Sequence, residues 1–199
     1  MNILQLTIEH LLIVIAAMAI ASVGGVILGI LAYWGSKPLD SIILWVTDIL
    51  QTIPSLALLT ILMIYFGLGN VTLIIGLVLY ALLPIVRNTH TGLHSIPAHI
   101  KDAAKGMGMS RMQRMMKVEL PLAFPLIFSG IKIALVTSLS IAVIGVLIGS
   151  GGLGAPIYRG IQSRDYVQIL SGAIPVVALA LVLDYLMSLV EKRLAYTAK

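Results

Sequence analysis

The chain has 199 residues, 59% of them hydrophobic and 11% charged, with a formal net charge of +5 and a mean hydropathy of +1.06. Soluble domains carry about 25% charged residues, so the composition excludes an ordinary soluble globule and points to a polytopic helical membrane protein. The lack of cysteine excludes disulfides, thiol catalysis and Cys-ligated metals, and in a membrane chain an excess of Lys and Arg marks cytoplasmic loops rather than nucleic-acid binding.

Five apolar stretches read as membrane spans, each near the roughly 20 helical residues that a bilayer demands. In chain order they are Leu11–Tyr33, Ser41–Phe66, Val71–Val86 (extended by Arg87–Gly92 toward the cytoplasm), Leu122–Ile148 and Val167–Val190. Residues 1–10 hold Glu9 and His10 but no Lys or Arg, and the apolar run passes Ala17-Met18-Ala19 unbroken, so no cleaved signal peptide is expected. With no linker or internal repeat, residues 1–199 read as one transmembrane domain. If the spans alternate, Lys37, Arg87, the basic stretch 101–117 and the tail residues Lys192, Arg193 and Lys199 share one side. Arg159 and Arg164 fall on the other. The positive-inside rule then sets the N-terminus outside and the C-terminus inside.

Pro54, Pro84, Pro125 and Pro175 fall within spans, where a missing donor and a clash with the preceding turn predict interruptions or kinks. Such breaks persist where neighbouring helices satisfy the backbone or where it lines a cavity. Gly25/Gly29 and Gly145/Gly149 have the G-x-x-x-G spacing of close helix contacts.

Residues 95–121 interrupt the apolar pattern with a basic, Met-rich, amphipathic insert carrying Lys101, Lys105, Arg111, Arg114 and Lys117. Its residues predict two short helices. Ser95 is placed to cap the first, with Pro97 in its first turn. Gly106 and Gly108 supply the break between them. Ser110 and Gln113 have capping-box spacing for the second, and Pro121 closes the unit. Ile100, Ala103, Ala104 and Met107 recur at helical spacing and predict one apolar face; methionine suits contacts that must re-pack.

Within this insert, Asp102-Ala103-Ala104, three residues, Gly108, nine residues and Val118-Glu119-Leu120-Pro121 resemble the EAA loop of ATP-binding-cassette importer permeases. The departures from that pattern are Asp102 for Glu and Val118 for Ile. Gln51–Leu59, Ala81–Leu93, Ala103–Ser110, Val118–Ile127 and Gly149–Ile161 resemble the osmoprotectant branch, whose members import glycine betaine, carnitine or choline. The resemblance implies an all-α membrane permease with five transmembrane helices and a cytoplasmic coupling helix between the third and fourth. Asp102, Ala103, Ala104, Met107, Gly108, Leu120 and Pro121 would then engage a separate ATPase subunit, which holds the ATP and magnesium. No cofactor is expected on this chain. A second permease copy or close relative, an extracytoplasmic substrate-binding protein and membrane lipid complete the expected partners, in a bacterial cytoplasmic membrane. The rival readings are an ATP-independent secondary transporter or channel, and the same importer class with another small solute such as an amino acid.

Other motifs carry less. Gly149–Gly154 satisfies G-x-G-x-x-G, but no strand or acidic partner accompanies it, so a glycine-rich external turn is expected. His90, His94 and His99 are interrupted by Gly92 and Pro97, and no metal site is expected. No P-loop or catalytic constellation appears, so the chain is not expected to be an enzyme. Asp48, Lys132 and Asp184 each lie about seven residues, or roughly 10 Å of helix, inside a cytoplasmic boundary. Unpaired charges there are costly, which makes Lys132 a candidate partner of Asp48, Asp184 or both near a gate. Pro54, Tyr65, Tyr80 and Tyr158 are pathway candidates, the tyrosines because an aromatic face attracts a quaternary ammonium.

Overall fold

The computed structural model describes residues 2–197, with side chains placed as far as Arg193; Lys199 lies outside the described residues. All regular elements among them are helical. The long helix α1 (Ile3–Trp34) starts well before Leu11, because Asn2 accepts from the Leu4 amide at 3.1 Å and so caps the helix at its very beginning.

Of the four span prolines, Pro54 alone ends a helix. It separates α2 (Lys37–Thr52) from α3 (Ser55–Phe66), which are bent by 100°. The residue before proline is driven to extended backbone, and Ile53 has φ −73° and ψ 127°. Its carbonyl accepts the Tyr80 hydroxyl, while the Gln51 amide donates to the Tyr80 carbonyl at 3.1 Å. The Tyr80 hydroxyl from α4 (Asn70–His94) thus satisfies a carbonyl at the α2–α3 break, and Gln51 in return satisfies the Tyr80 carbonyl, which loses its helical donor to Pro84 four residues on. Pro84, Pro125 and Pro175 lie inside uninterrupted helices, and the carbonyl of Pro84 also accepts from the Asn88 side-chain amide at 2.7 Å.

After α4 come two short helices, α5 (Ala98–Gly106) and α6 (Arg111–Arg114). A π-helical turn, Met115–Glu119, then leads into α7 (Leu120–Ile144) and a 3₁₀ turn, Gly145–Ile148. Pro121 is the second residue of α7, just after the π turn, and does not end the helix. The expected proline exit is therefore absent: residues 111–148 run on as one helical span. The expected external turn also contains a helix, α8 (Gly154–Ser163), before α9 (Tyr166–Thr197). Among the described residues, four helices are long and apolar enough to cross a membrane alone, and the bent α2–α3 pair supplies a fifth crossing if counted as one span.

Helix α4 is the centre of the bundle, packed by α1, α7, α2 and α3. In lipid the hydrophobic effect does little to join helices, so close packing through small residues carries the association. A Cβ on Gly25 would come within 2.8 Å of Ile85 Cβ, and one on Gly29 within 2.5 Å of Thr89 Cβ. Gly130 of α7 lies similarly close to Asn88 of α4. The second G-x-x-x-G pair is different. Gly145 meets Leu73, but Gly149 caps the 3₁₀ turn at φ 73° and is not part of a helix interface.

Candidate functional site

The insert is held against one end of the bundle by its basic residues. Lys101 Nζ donates to the Leu93 carbonyl at the end of α4 (2.9 Å) and lies 5.1 Å from the centre of the Tyr33 ring. Arg111 donates to the carbonyl of Trp34 at the end of α1 (2.8 Å) and stacks 5.0 Å from its ring. Both cations thus complement the negative ends of helix dipoles and aromatic faces. Leu93, Ile96, Met115, Ala123 and Ile127 form an apolar cluster beneath.

Helix α5 closes with two bonds, Gly108 N–H to Lys105 O (3.0 Å) and Met109 N–H to Ala104 O (3.2 Å), with Gly108 at φ 77°. This is the Schellman arrangement, which glycine adopts without steric cost. The Ser110–Gln113 capping box forms as the spacing predicts. Ser95 does not cap α5; it ends α4, and its hydroxyl donates back to the Gly92 carbonyl at 2.9 Å. Pro97 precedes α5 in place of that cap.

The single apolar face expected of α5 is divided. Ala104 is buried and Ile100 half-buried against the bundle, whereas Asp102, Ala103, Met107 and Gly108 are exposed. Leu120 is half-buried and Pro121 exposed at the start of α7. Met107 is 69% exposed, and Met112 and Met116 stand out from the following turns. One side of the segment therefore anchors, and the other presents small, acidic and thioether groups outward.

Of the two partners expected for Lys132, Asp184 is beside it and Asp48 is not. Lys132 lies 3.4 Å from both Asp184 and Glu191 of α9 and donates to Ser188 Oγ at 2.7 Å. Asp48 takes no part there; Arg87 of α4 forms a bidentate pair with it at 2.9 and 2.5 Å. Equal depth placed Asp48 near Lys132 in the sequence reading, but helix rotation and packing put it on the α2–α4 seam. Asp40 Oδ1 and His90 Nε2, 3.0 Å apart, extend that seam without hydrogen-bond alignment. Tyr80 reaches the α2–α3 break at the Ile53 carbonyl, next in chain to Pro54, while Tyr65 stands exposed on α3 and Tyr158 on α8, its hydroxyl accepting from Gln162 at 3.0 Å.

Residues 25–196 match the family described as "Binding-protein-dependent transport system inner membrane component". The chain belongs to this permease family. It is 41% identical over 194 residues to the glycine betaine/carnitine/choline transport system permease protein OpuCD of Bacillus subtilis, covering 97% of this chain and 84% of that one. The choline transport system permease protein OpuBD of the same organism is 42% identical, with coverage of 96% and 84%. The osmoprotectant import permease protein OsmW of Salmonella typhimurium is 40% identical, with coverage of 92% and 87%. The fold is shared with the inward-facing MetNI methionine ABC transporter, at a TM-score of 0.83 and 24% identity over 99% of this chain and 96% of that one. This permease is accordingly a multi-pass inner-membrane protein, the membrane component of a transport system and not its catalytic one.

Two polar arrangements in the permease escaped sequence reasoning. Glu119 is wholly buried and paired with Arg114 at 2.5 Å. At the opposite end of α1, Glu9 Oε2 accepts from the Gly152 amide (3.1 Å), and Asn70 Oδ1 accepts from Ser150 Oγ (2.7 Å) and the Gly151 amide (2.9 Å). A side chain on Gly151 would strike the Glu9 carboxylate. The signals available were a carboxylate adjoining Leu-Pro and a glycine-rich turn; neither names its partner across the fold.

Proposed function

We propose that this permease imports a quaternary-amine osmoprotectant of the glycine betaine, carnitine or choline type. The observation that carries the reading is identity of 40–42% to three permeases named for such cargo, across nearly the whole chain. A cargo of this kind is cationic or zwitterionic, and the α2–α4 seam offers it charged and polar groups: Asp48, Arg87 and Gln51. Charged groups in a span face a partner or a water-filled path rather than lipid. The seam is therefore assigned to the pathway side of a pair of permease subunits, with the N-terminus outside and the C-terminus inside.

In this reading the exposed side of residues 98–121 seats on an ATPase subunit through Asp102, Ala103, Met107 and Gly108. Ala104 and Leu120 act from behind, and Pro121 sits at the rim. ATP and magnesium belong to that subunit, and an extracytoplasmic binding protein delivers the cargo. Lys132 with Asp184 holds α7 to α9 on the ATPase side of the pathway, next to the gate.

Reconstitution with the ATPase and binding protein into liposomes tests the proposal. ATP-dependent uptake of labelled glycine betaine, carnitine or choline is expected. Uptake that persists without ATP, or an amino acid as the transported cargo with no quaternary amine carried, refutes it.

A further inference from the structure

Residues five apart in an α-helix point about 140° away from each other, whereas the i to i+5 bonding of a π turn brings them onto one face. Arg114 and Glu119 are five apart and flank the π turn Met115–Glu119. There Arg114 Nε donates to Glu119 Oε1 at 2.5 Å. The Glu119 side chain is 1% exposed and that of Arg114 22% exposed. The other oxygen, Glu119 Oε2, is buried without a hydrogen-bond partner. A buried carboxylate in this position depends on its one cation, because removing a single partner leaves an uncompensated charge.

We propose that Arg114 and Glu119, with the π turn between them, form the joint that locks the α5–α6 segment to α7. Relaxing the turn to α-helix shifts the register by one residue, rotates α6 about 100° against α7 and carries Arg114 off its partner. The locked and relaxed forms are thus discrete, which makes the joint stiff until it breaks. Elsewhere α5 and α6 meet the bundle through the hydrogen bonds of Lys101 and Arg111 to helix ends and through the packing of Ile100 and Ala104. The π turn is where the segment runs into a span as unbroken helix, and that span carries Lys132 onward to Asp184 and Glu191 of α9. Arg114 and Glu119 are positioning residues, and the inference rests on the reading that this segment meets the ATPase.

The cysteine-free chain permits spin labels on Lys105→Cys of α5 and Ile133→Cys of α7, both exposed positions. In the complete complex, the distance between labels is expected to be narrow and equal without nucleotide and with trapped ATP. A distance that shifts with nucleotide in this otherwise native chain overturns the joint. The double variant R114Q/E119Q removes both charges together, so neither is left stranded in the buried site. It is expected to co-purify with the ATPase, to broaden the distance distribution and to lower transport per ATP hydrolysed about tenfold. Native transport per ATP in that variant also overturns the joint. The Lys105 label separates the underlying reading: spectra unaffected by ATPase binding refute docking at this segment, while the intramolecular distance still reports on the joint.

Discussion

Lys101 reaches back from α5 to the Leu93 carbonyl at the end of α4, 2.9 Å away, with its ammonium beside the Tyr33 ring. A residue that sequence marks only as one of the insert's five cations is thereby a tether. The α4 terminus offers unsatisfied carbonyls, and a cation there meets both the dipole and a hydrogen-bond acceptor. Lys101→Met retains the aliphatic stem and removes the charge. A hydrogen bond to a charged group contributes about 1.5–3 kcal/mol, and partial exposure reduces this to about 1–2 kcal/mol. Amide exchange in residues 98–106 should accelerate about tenfold relative to the native chain. Unchanged exchange would show that the apolar contacts of Ile100 and Ala104 hold α5 unaided.

Gly108 and Gly106 offer a controlled pair, since a Cβ at either would meet open space. Only Gly108 has a positive φ, 77°, so Gly108→Val penalises backbone conformation with no clash. A left-handed β-branched residue costs roughly 1–2 kcal/mol, enough to unwind the closing bonds to Ala104 and Lys105. Gly108→Val is expected to reduce ATPase co-purification and uptake while membrane insertion persists. Gly106→Ala should match the native protein or gain slightly in stability, because it favours helix at the end of α5. Equal behaviour of the two variants would detach function from the α5 terminus.

Helix existence was legible from apolar length, and the Ser110–Gln113 box and Gly108 terminus from local chemistry. These are one-dimensional facts, fixed by residues within a turn of each other. The placement of Asp48 beside Arg87 needed a second coordinate. Counting residues gives a depth in the membrane and sets Asp48, Lys132 and Asp184 level; rotation about each helix axis comes from packing alone. Glycines such as Gly29 set that rotation by admitting a specific neighbour, Thr89. The π turn was hidden for a related reason: residues 115–119, Met-Met-Lys-Val-Glu, read as ordinary helix until the buried Glu119 and its partner are seen together. Pro54 and Pro84 likewise look alike in sequence, but the Tyr80 hydroxyl stands ready only at the first break.

The α1–α4 contact predicts a steep dependence on which glycine is changed. Gly24 has only Leu82 at an ordinary 3.9 Å, whereas Gly25 and Gly29 are closed by Ile85 and Thr89. Gly24→Ala should be nearly silent. Gly29→Ala forces the helices apart at a point where the Val86 carbonyl also lies 3.0 Å from the added carbon; overpacking of this kind costs about 1–3 kcal/mol. Thermal unfolding of the detergent-solubilised protein should show a lower midpoint for Gly25→Ala and Gly29→Ala than for Gly24→Ala. The same midpoint for all three would mean that the two helices separate without loss.

The charge pairs predict asymmetric responses. Lys132 serves two carboxylates, Asp184 and Glu191, each 3.4 Å away. Asp184→Asn leaves one carboxylate with the cation and should be mild. Lys132→Gln leaves two carboxylates on α9 without their shared cation, and should lower membrane accumulation and uptake far more than either acid variant. On the α2–α4 seam, by contrast, Arg87 and Asp48 are a bidentate pair of one cation with one acid. Asp48→Asn strands Arg87, whereas D48N/R87Q removes both charges and should recover stability toward native, because a stranded charge in a span is the costly state. The thermal midpoints of the two single variants and the double variant give the coupling directly. Additive losses would show that each charge reaches water by itself and that the seam is not a pair.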